Sequence, residues 1–325
     1  MDDIRDDFIL CIDAEELRLE NLPNFVFICG GVRNSVDADN PGSMRDALLR
    51  RLEHTDSKLS SRIREAEEFQ DWLEHSKIDN LIDLEIVLAD LASAVILIVE
   101  GLGAYAELGA FSIIESISKK LITVLNTNTI IEKSFINLGV IKYLEDNKQV
   151  ILRYEWNVEY IPSGDRKKVN LRFSDTNQVI YNKADIILDK LKQEIEQKTQ
   201  STVKFEKDRK GHICLVIADL IYIFSALKVG EIKTYLSVGF SIDLTVKKIK
   251  EYLYILENLE LIIKVNSGDI FYVASHNNYG FIKYRYNNNK KQQVSSFFVD
   301  ADDAKTKVIL FYREGDISRN DALNR

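Results

Sequence analysis

Asp90-Leu-Ala-Ser-Ala-Val-Ile-Leu-Ile-Val-Glu-Gly-Leu-Gly-Ala-Tyr-Ala-Glu-Leu-Gly-Ala-Phe111 decides how this chain folds. From Ala94 to Val99 every residue is apolar and most are β-branched, with no polar alternation, as in a parallel strand covered on both faces. Gly101 and Gly103 break the run, and from Ala104 the composition favours helix. The chain therefore turns at the carboxyl end of a buried strand, where open α/β sheets hold their ligands. Glu107 falls in the first turns of the expected helix. There the helix dipole and free backbone N–H groups favour the ionised carboxylate, the form a nucleophile needs.

Outward from this stretch the same pattern repeats. Asn24-Phe-Val-Phe-Ile-Cys29 is an apolar run of strand length closed by Gly30-Gly31, and Lys119 to Leu125 is another, followed by the polar Asn126-Thr-Asn-Thr129. In a parallel sheet these three turns share one edge. Gly30 and Gly31 allow backbone N–H groups close to a ligand, and Arg33 and Ser35 offer donors suited to phosphate or ribose. An ordinary tight turn with an exposed arginine fits the same residues. Asp90 is either a ligand contact or a cap. Helical periodicity covers Ser43 to Ser76 and Ile78 to Ala92, a further strand covers Gln149 to Tyr154, and Ala184 to Gln197 reads as an amphipathic helix. Strands alternating with helices predict a doubly wound, mainly parallel, Rossmann-like α/β domain over residues 1–205.

At His212 the character changes. A hydrophobic helix to Leu227, a short helix from Gly230 and a third from Ser241 to Leu259 precede two short strands joined by Asn266-Ser-Gly-Asp269. Three helices and a hairpin are the winged helix-turn-helix pattern, expected over residues 206–285, with residues 286–325 as a carboxy-terminal extension. Lys247, Lys248 and Lys250 on the third helix and Lys264 on the first hairpin strand are candidate contacts to nucleic acid or to a protein. Gly211 to Arg285 holds eight Lys or Arg against seven Asp or Glu, too even a balance for strong nonspecific DNA binding.

Composition sets the outer bounds. The 325 residues, 46% of them hydrophobic, suffice for two cores, and the net charge of −8 argues against bulk coating of nucleic acid. Cys11, Cys29 and Cys214 are isolated, without C-x-x-C pairing, so neither a disulfide framework nor a zinc site is expected, and a reducing cytoplasm fits. No metal or cofactor is called for. The longest apolar run, Ile86 to Val99, is interrupted by Asp90, so no membrane span is expected.

The segment Glu100-Gly-Leu-Gly103 followed by Ala106-Glu107-Leu-Gly109, with Phe27-Ile-Cys-Gly-Gly31 after the first strand, resembles the nucleoside 2-deoxyribosyltransferase family. The resemblance implies Glu107 as nucleophile and a substrate contact at Glu100, where the family usually has aspartate. Gly101 and Gly103 line the same turn, with Leu102-Gly103 in place of the usual Gly-Thr. Asn126 and Asn128 stand on the neighbouring loop. Joined to a winged helix, this domain resembles the effector subunit of a retron antiphage system of the deoxyribosyltransferase-like type. That resemblance implies N-glycosidic cleavage of a nucleotide, with NAD or a deoxynucleotide as substrate. It also implies restraint by a reverse transcriptase and its branched RNA–DNA product, within a homo-oligomer or larger assembly. Hydrolysis and base transfer both remain open. The competing reading is a winged-helix DNA-binding regulator controlled by an inactive nucleotide-sensing domain.

Overall fold

The structure is a computed structural model, which describes residues 3–33, 39–69, 80–162, 169–198 and 202–324, with side chains left out at 160–172. The chain forms two compact units. One comprises Pro23–Glu68 and Leu88–Thr199; the other comprises Met1–Leu22, Phe69–Val87 and Gln200–Arg325. Neither is a continuous stretch, so the linear division at residue 205 differs from the packing. The acidic first 22 residues belong with the carboxy-terminal third.

The sheet unit holds five parallel strands: β1 (Val26–Cys29), β2 (Ile63–Glu65), β3 (Ala94–Val99), β4 (Leu121–Asn126) and β5 (Val150–Tyr154), in the order β2-β1-β3-β4-β5. All six residues of β3 and of β4 are buried, as the apolar run of β3 predicts, and in β4 Thr123 and Asn126 are buried with their apolar neighbours. The register runs from Val26 opposite Ala94 to Cys29 opposite Leu97, and from Val95 opposite Leu121 to Val99 opposite Leu125. Strand order reverses between β1 and β3, so a crevice-forming switch point lies between their carboxyl ends. Around the sheet lie α1 (Met44–Thr55), the end of α2 (Leu81–Leu91), α3 (Leu102–Ser112) and α4 (Asn177–Lys198). One face of the sheet shares a core with α1 and α4, in which Leu48, Leu52, Ile96, Ile122, Ile187 and Leu191 are all buried.

Two elements depart from the sequence expectation. The continuous helix expected from Ser43 to Ser76 ends at Thr55, and Ile63-Arg-Glu65 forms the edge strand β2. Three charge-rich residues carry no readable periodicity, and only pairing with β1 makes them a strand. Between Tyr154 and Ala184, where the sequence reading assigns no element, Val158–Pro162 and Val169–Phe173 pair as an antiparallel hairpin. Residues 163–168, which join the two strands, lie outside the described residues.

The second unit centres on α5 (Lys210–Phe224), buried at every position except Lys210 and Tyr222, a helix apolar all round and hence enclosed on all sides. It is followed by a short strand at Ala226–Leu227, α6 (Val229–Phe240), α7 (Val246–Asn258) and a hairpin of Ile262–Asn266 with Ile270–Ala274. The short strand pairs antiparallel with the second hairpin strand. The third helix starts later than the expected Ser241, because Thr245 caps it, accepting from the Lys248 N–H at 3.2 Å.

Residues 286–325 are an integral part of this unit rather than an appendage. The helices Ala301–Gly315 and Ile317–Leu323 bring in Tyr312 and Arg319, both buried. Tyr312 donates to the Phe224 carbonyl at 2.9 Å. Arg319 donates to the Ala226 carbonyl and pairs with Glu231 at 2.6 Å, and Glu231 also accepts from Arg5 at 3.0 Å. Arg5 stands on the amino-terminal helix Ile4–Cys11, so both chain ends are tied into one polar network. Among the described residues no helix is long and apolar enough to cross a membrane.

Candidate active site at the β1–β3 switch point

The loops after β1 and β3 meet through Glu100. This side chain is buried at the end of β3, and its Oε1 accepts from the Gly31 N–H at 3.1 Å and the Arg45 N–H at 3.1 Å, while Oε2 accepts from the Met44 N–H at 2.8 Å. Met44 and Arg45 open α1, so the carboxylate sits on a helix amino terminus, where free N–H groups and the dipole favour an anion. Burial still pushes its pKa up, against the pull of those three N–H groups. Both oxygens of Glu100 thus hold the protein's own backbone together. The structure gives it the work of joining β1, α1 and β3.

Gly31 is demanded by that junction. A Cβ there would lie 2.6 Å from the Ser43 Cβ and 2.8 Å from Glu100 Oε1. At Gly30 it would lie 3.0 Å from the Ile98 Cβ and 3.2 Å from the Arg45 Cβ. The two glycines therefore serve close approach of backbone to neighbouring elements. Gly101 is the residue before α3, and Gly103 stands exposed on its first turn, where a Cβ would meet nothing within 4 Å.

Glu107 is the sixth residue of α3, which starts at Leu102, so it lies beyond the first turn and outside the strongest influence of the dipole. Burial instead raises its pKa to about 7, with the Arg45 charge pulling it down and Glu67 pushing it up. The expectation of a carboxylate held ionised by the helix end is corrected on this point. Its Oε2 is buried and accepts no hydrogen bond from any described residue. Leaving a buried acceptor unpaired costs about 1–3 kcal/mol, so such an atom calls for a role.

Arg45 and Glu67 are the neighbours the sequence did not single out. Arg45 is buried on α1, donates through Nε to the Gly31 carbonyl at 2.7 Å, and grips both Glu67 oxygens, at 3.0 and 2.5 Å. Glu65 lies 3.7 Å from the same guanidinium. In sequence these charges sit within a stretch read as one helix, and nothing in their spacing sets them apart. The pairing of β2 beside β1 brings Glu65 and Glu67 to Arg45, which Glu100 already fastens at the switch point.

The remaining candidates divide. Arg33, expected as a phosphate donor, is paired with Glu53 and Glu65 at 2.9 Å each and lies 3.8 Å from Asp46. Asn126 is fully buried: Nδ2 donates to the Trp156 carbonyl at 2.8 Å, and Oδ1 accepts from the N–H groups of Asn128 at 3.1 Å and Trp156 at 3.3 Å. Asn128 donates to Asn157 Oδ1 at 3.1 Å. Both amides fasten the exits of β4 and β5. Tyr105 on α3 meets Thr129 at 3.3 Å across the same edge. Asp90 is corrected outright, because it precedes β3 near its amino end, on the edge opposite the turn at Gly101, and its carbonyl accepts from the Lys120 ammonium at 2.6 Å. A strand of six residues spans roughly 20 Å, which keeps Asp90 from the site. Ser35 lies outside the described residues.

In the second unit, Lys247, Lys250 and Lys264 are exposed, whereas Lys248 is flanked by carboxylates, 2.7 Å from Glu251 and 3.2 Å from Asp83. Among the described residues no group of three His, Cys, Asp or Glu side chains could hold a metal ion.

The parallel sheet, the switch-point junction and the half-buried acidic group on the following helix define an α/β protein of Rossmann-like architecture. The family described as STM3845 retron effector protein matches residues 41–264, and this chain belongs to that family. It is 30% identical over 284 residues to an Escherichia coli protein named "Retron Ec73 putative ribosyltransferase/DNA-binding protein", covering 86% of this chain and 84% of that one. It is also 32% identical over 141 residues to the E. coli "Retron Ec86 putative ribosyltransferase/DNA-binding protein", covering 42% of this chain and 43% of that one.

Proposed function

We propose that this retron effector cleaves the N-glycosidic bond of a nucleotide, NAD or a deoxynucleotide, with Glu107 as nucleophile. The observation that carries the proposal is the buried, unpartnered Oε2 of Glu107 on the helix leaving the switch point. In the proposed reaction a Glu107 oxygen bonds to the anomeric carbon as the carbon–nitrogen bond breaks and its electron pair departs on the base. Water then attacks the same carbon, frees the carboxylate and gives up a proton. With a pKa of about 7 the group is roughly half ionised at neutral pH, so the nucleophilic form is present without further activation. Arg45 counters the burial that would otherwise neutralise it. Glu100, Gly30, Gly31 and Gly101 act by shaping the junction, while Gly103 leaves open space at the start of α3 for an incoming ring.

The names of the two E. coli relatives support ribosyl chemistry and nucleic-acid contact. The order helix, short strand, helix, helix, hairpin in the second unit supports the winged-helix reading. In that reading a reverse transcriptase and its branched RNA–DNA product restrain the effector within a larger assembly until infection. The enzyme reading is tested by incubating the purified chain with NAD and with deoxynucleosides and resolving the released base by chromatography. The wild type is expected to release base and Glu107→Gln to release none; base release by the variant would remove Glu107 from the reaction.

A further inference from the structure

A three-stranded antiparallel sheet in the second unit joins Arg18–Glu20 at its centre to Thr202–Lys204 on one side and Ile282–Lys283 on the other. Its register sets Arg18 directly opposite both Lys204 and Lys283. Residues paired in this way present their side chains on one face, with Cβ atoms about 4.5–5.5 Å apart. Three cations from distant parts of the chain therefore form a row across the sheet, about 10 Å long. All three are exposed, whereas Leu19, the next residue on the central strand, is buried on the other face with Ile282 opposite it.

Like charges directly opposite each other work against a sheet, so packing gives no reason for the row. None of the three forms an ion pair with a carboxylate among the described residues, and Glu16 and Glu20, two residues to either side of Arg18, do not pair with it. Lys248, by contrast, is met by two carboxylates. Arg285 extends the patch: it is exposed, and Tyr284 between it and Lys283 points inward, donating to Asp219 Oδ2 at 2.7 Å. Asp219 is buried on α5, and its Oδ1 accepts from the N–H groups of Phe281 and Ile282. The strand that carries Lys283 is thus pinned from within, which holds the row on a fixed frame.

The complement of such a row is a line of closely spaced anions. Each strand of a nucleic-acid duplex carries one phosphate per about 3.4 Å of axis, so a row about 10 Å long faces about three in succession. We infer that Arg18, Lys204 and Lys283 form a clamp for the phosphate backbone of a nucleic-acid duplex, a contact surface additional to α7 and to the hairpin around Asn266–Asp269. The inference rests on reading this unit as a nucleic-acid partner and adds where the backbone is gripped. Contacts of this kind fix orientation and carry no sequence information. Arg18 and Lys204 lie outside residues 211–285, whose even charge balance therefore gives no sign of them.

The test is fluorescence anisotropy of the full chain against a short labelled DNA duplex and an RNA–DNA hybrid over a salt series. Arg18→Gln, Lys204→Gln and Lys283→Gln combined are expected to weaken binding to both on the order of 10²-fold at about 50 mM salt. The slope of log K against log salt should become shallower by about 2.7, three phosphate contacts at about 0.9 each. The charge-conserving set Arg18→Lys, Lys204→Arg and Lys283→Arg should keep the wild-type slope. As a control for net charge, Lys119→Gln, Lys133→Gln and Lys148→Gln, all exposed on the sheet unit, should leave binding near wild type. An equal loss in that control, or a loss on only one of the two duplexes, would overturn the clamp. So would a lowered melting temperature of the first variant, since the row would then serve the fold. Unchanged binding of that variant, beside a wild type that binds, removes the clamp alone, whereas a wild type that binds neither duplex removes the nucleic-acid reading with it.

Discussion

Glu107 on α3 and Lys248 on α7 are both charged groups on helices that the sequence marks for function, and their surroundings treat them in opposite ways. Lys248 is met by two carboxylates within 3.2 Å, and its charge is neutralised inside its own unit. Glu107 has a buried oxygen with no described donor, beside an arginine whose guanidinium is already committed to Glu67. Folding tends to satisfy buried polar groups, so the two side chains differ in how far their surroundings have answered their charge. The short stretch from Glu100 to Glu107 repeats the lesson. Glu100 is fastened by three backbone N–H groups and holds the junction, while the buried Oε2 of Glu107 is held by none.

The contrast breaks most visibly if Glu107 is dispensable. Glu107→Gln is expected to lower base release by on the order of 10⁴-fold or more, as removal of a covalent nucleophile does, with circular dichroism unchanged. A loss under about tenfold would place Glu107 with Glu100 among the structural carboxylates.

The same variant sharpens the comparison through stability. Glu107 ionises near pH 4.5 when unperturbed and at about 7 in the fold. Stability linked to its proton is complete below the lower value and is lost as pH rises through the higher one. Urea unfolding should therefore find Glu107→Gln more stable than wild type by up to about 3 kcal/mol at about pH 8 and indistinguishable at about pH 4. No difference at the higher pH would mean that the carboxylate is stabilised by something other than the surroundings described.

Arg45 comes next. Arg45→Ala leaves Glu67 unpaired and the Gly31 carbonyl without its donor. Because Glu67 is half exposed, the expected loss is about 2 kcal/mol rather than the larger cost of a fully buried pair. Removing its charge also raises the Glu107 pKa further, so the rising limb of the pH–rate profile should move to higher pH. A profile that stays in place would separate Arg45 from Glu107.

The smallest effect is assigned to Arg33. Its guanidinium is partly exposed and already paired in the fold, so Arg33→Ala should change stability by about 0–1 kcal/mol. A large rise in KM for the nucleotide with kcat unchanged would restore it as a substrate contact and show that its ion pairs open on binding.

Much of this was legible in the chain because burial on both faces of a parallel strand leaves an unmistakable apolar run. β3, β4 and the Asn24–Cys29 run were readable for that reason, as were the hairpin around Asn266–Asp269 and the hydrophobic helix after His212. β2 was hidden, since an edge strand of Ile63-Arg-Glu65 has no run to show. With it were hidden Glu65, Glu67 and the importance of Arg45. Asp90 looked like a site residue only because sequence distance from Gly101 is short, although a strand lying between them sends the two to opposite edges of the sheet. The acidic amino terminus and residues 286–325 gave no sign of sharing a network through Arg5, Glu231, Tyr312 and Arg319. Arg5 and the pair Tyr312 and Arg319 come from opposite ends of the chain, and with Glu231 they make contacts of 3.1 Å or less.

The sequence by itself determined that a parallel α/β sheet would form, that its strand–turn–helix units would align their turns on one edge, and that Glu107 would follow the central one. These outcomes depend on hydrophobic periodicity and glycine placement, which are local. Tertiary structure alone decided the protonation of Glu107, the diversion of Glu100 and Arg33 into the scaffold, and the pairing of Lys248 with Asp83 and Glu251. Each depends on which side chains approach from distant parts of the chain. Desolvation and ion pairing are properties of that assembled neighbourhood, so the charge on a residue is written in the sequence but its use is not.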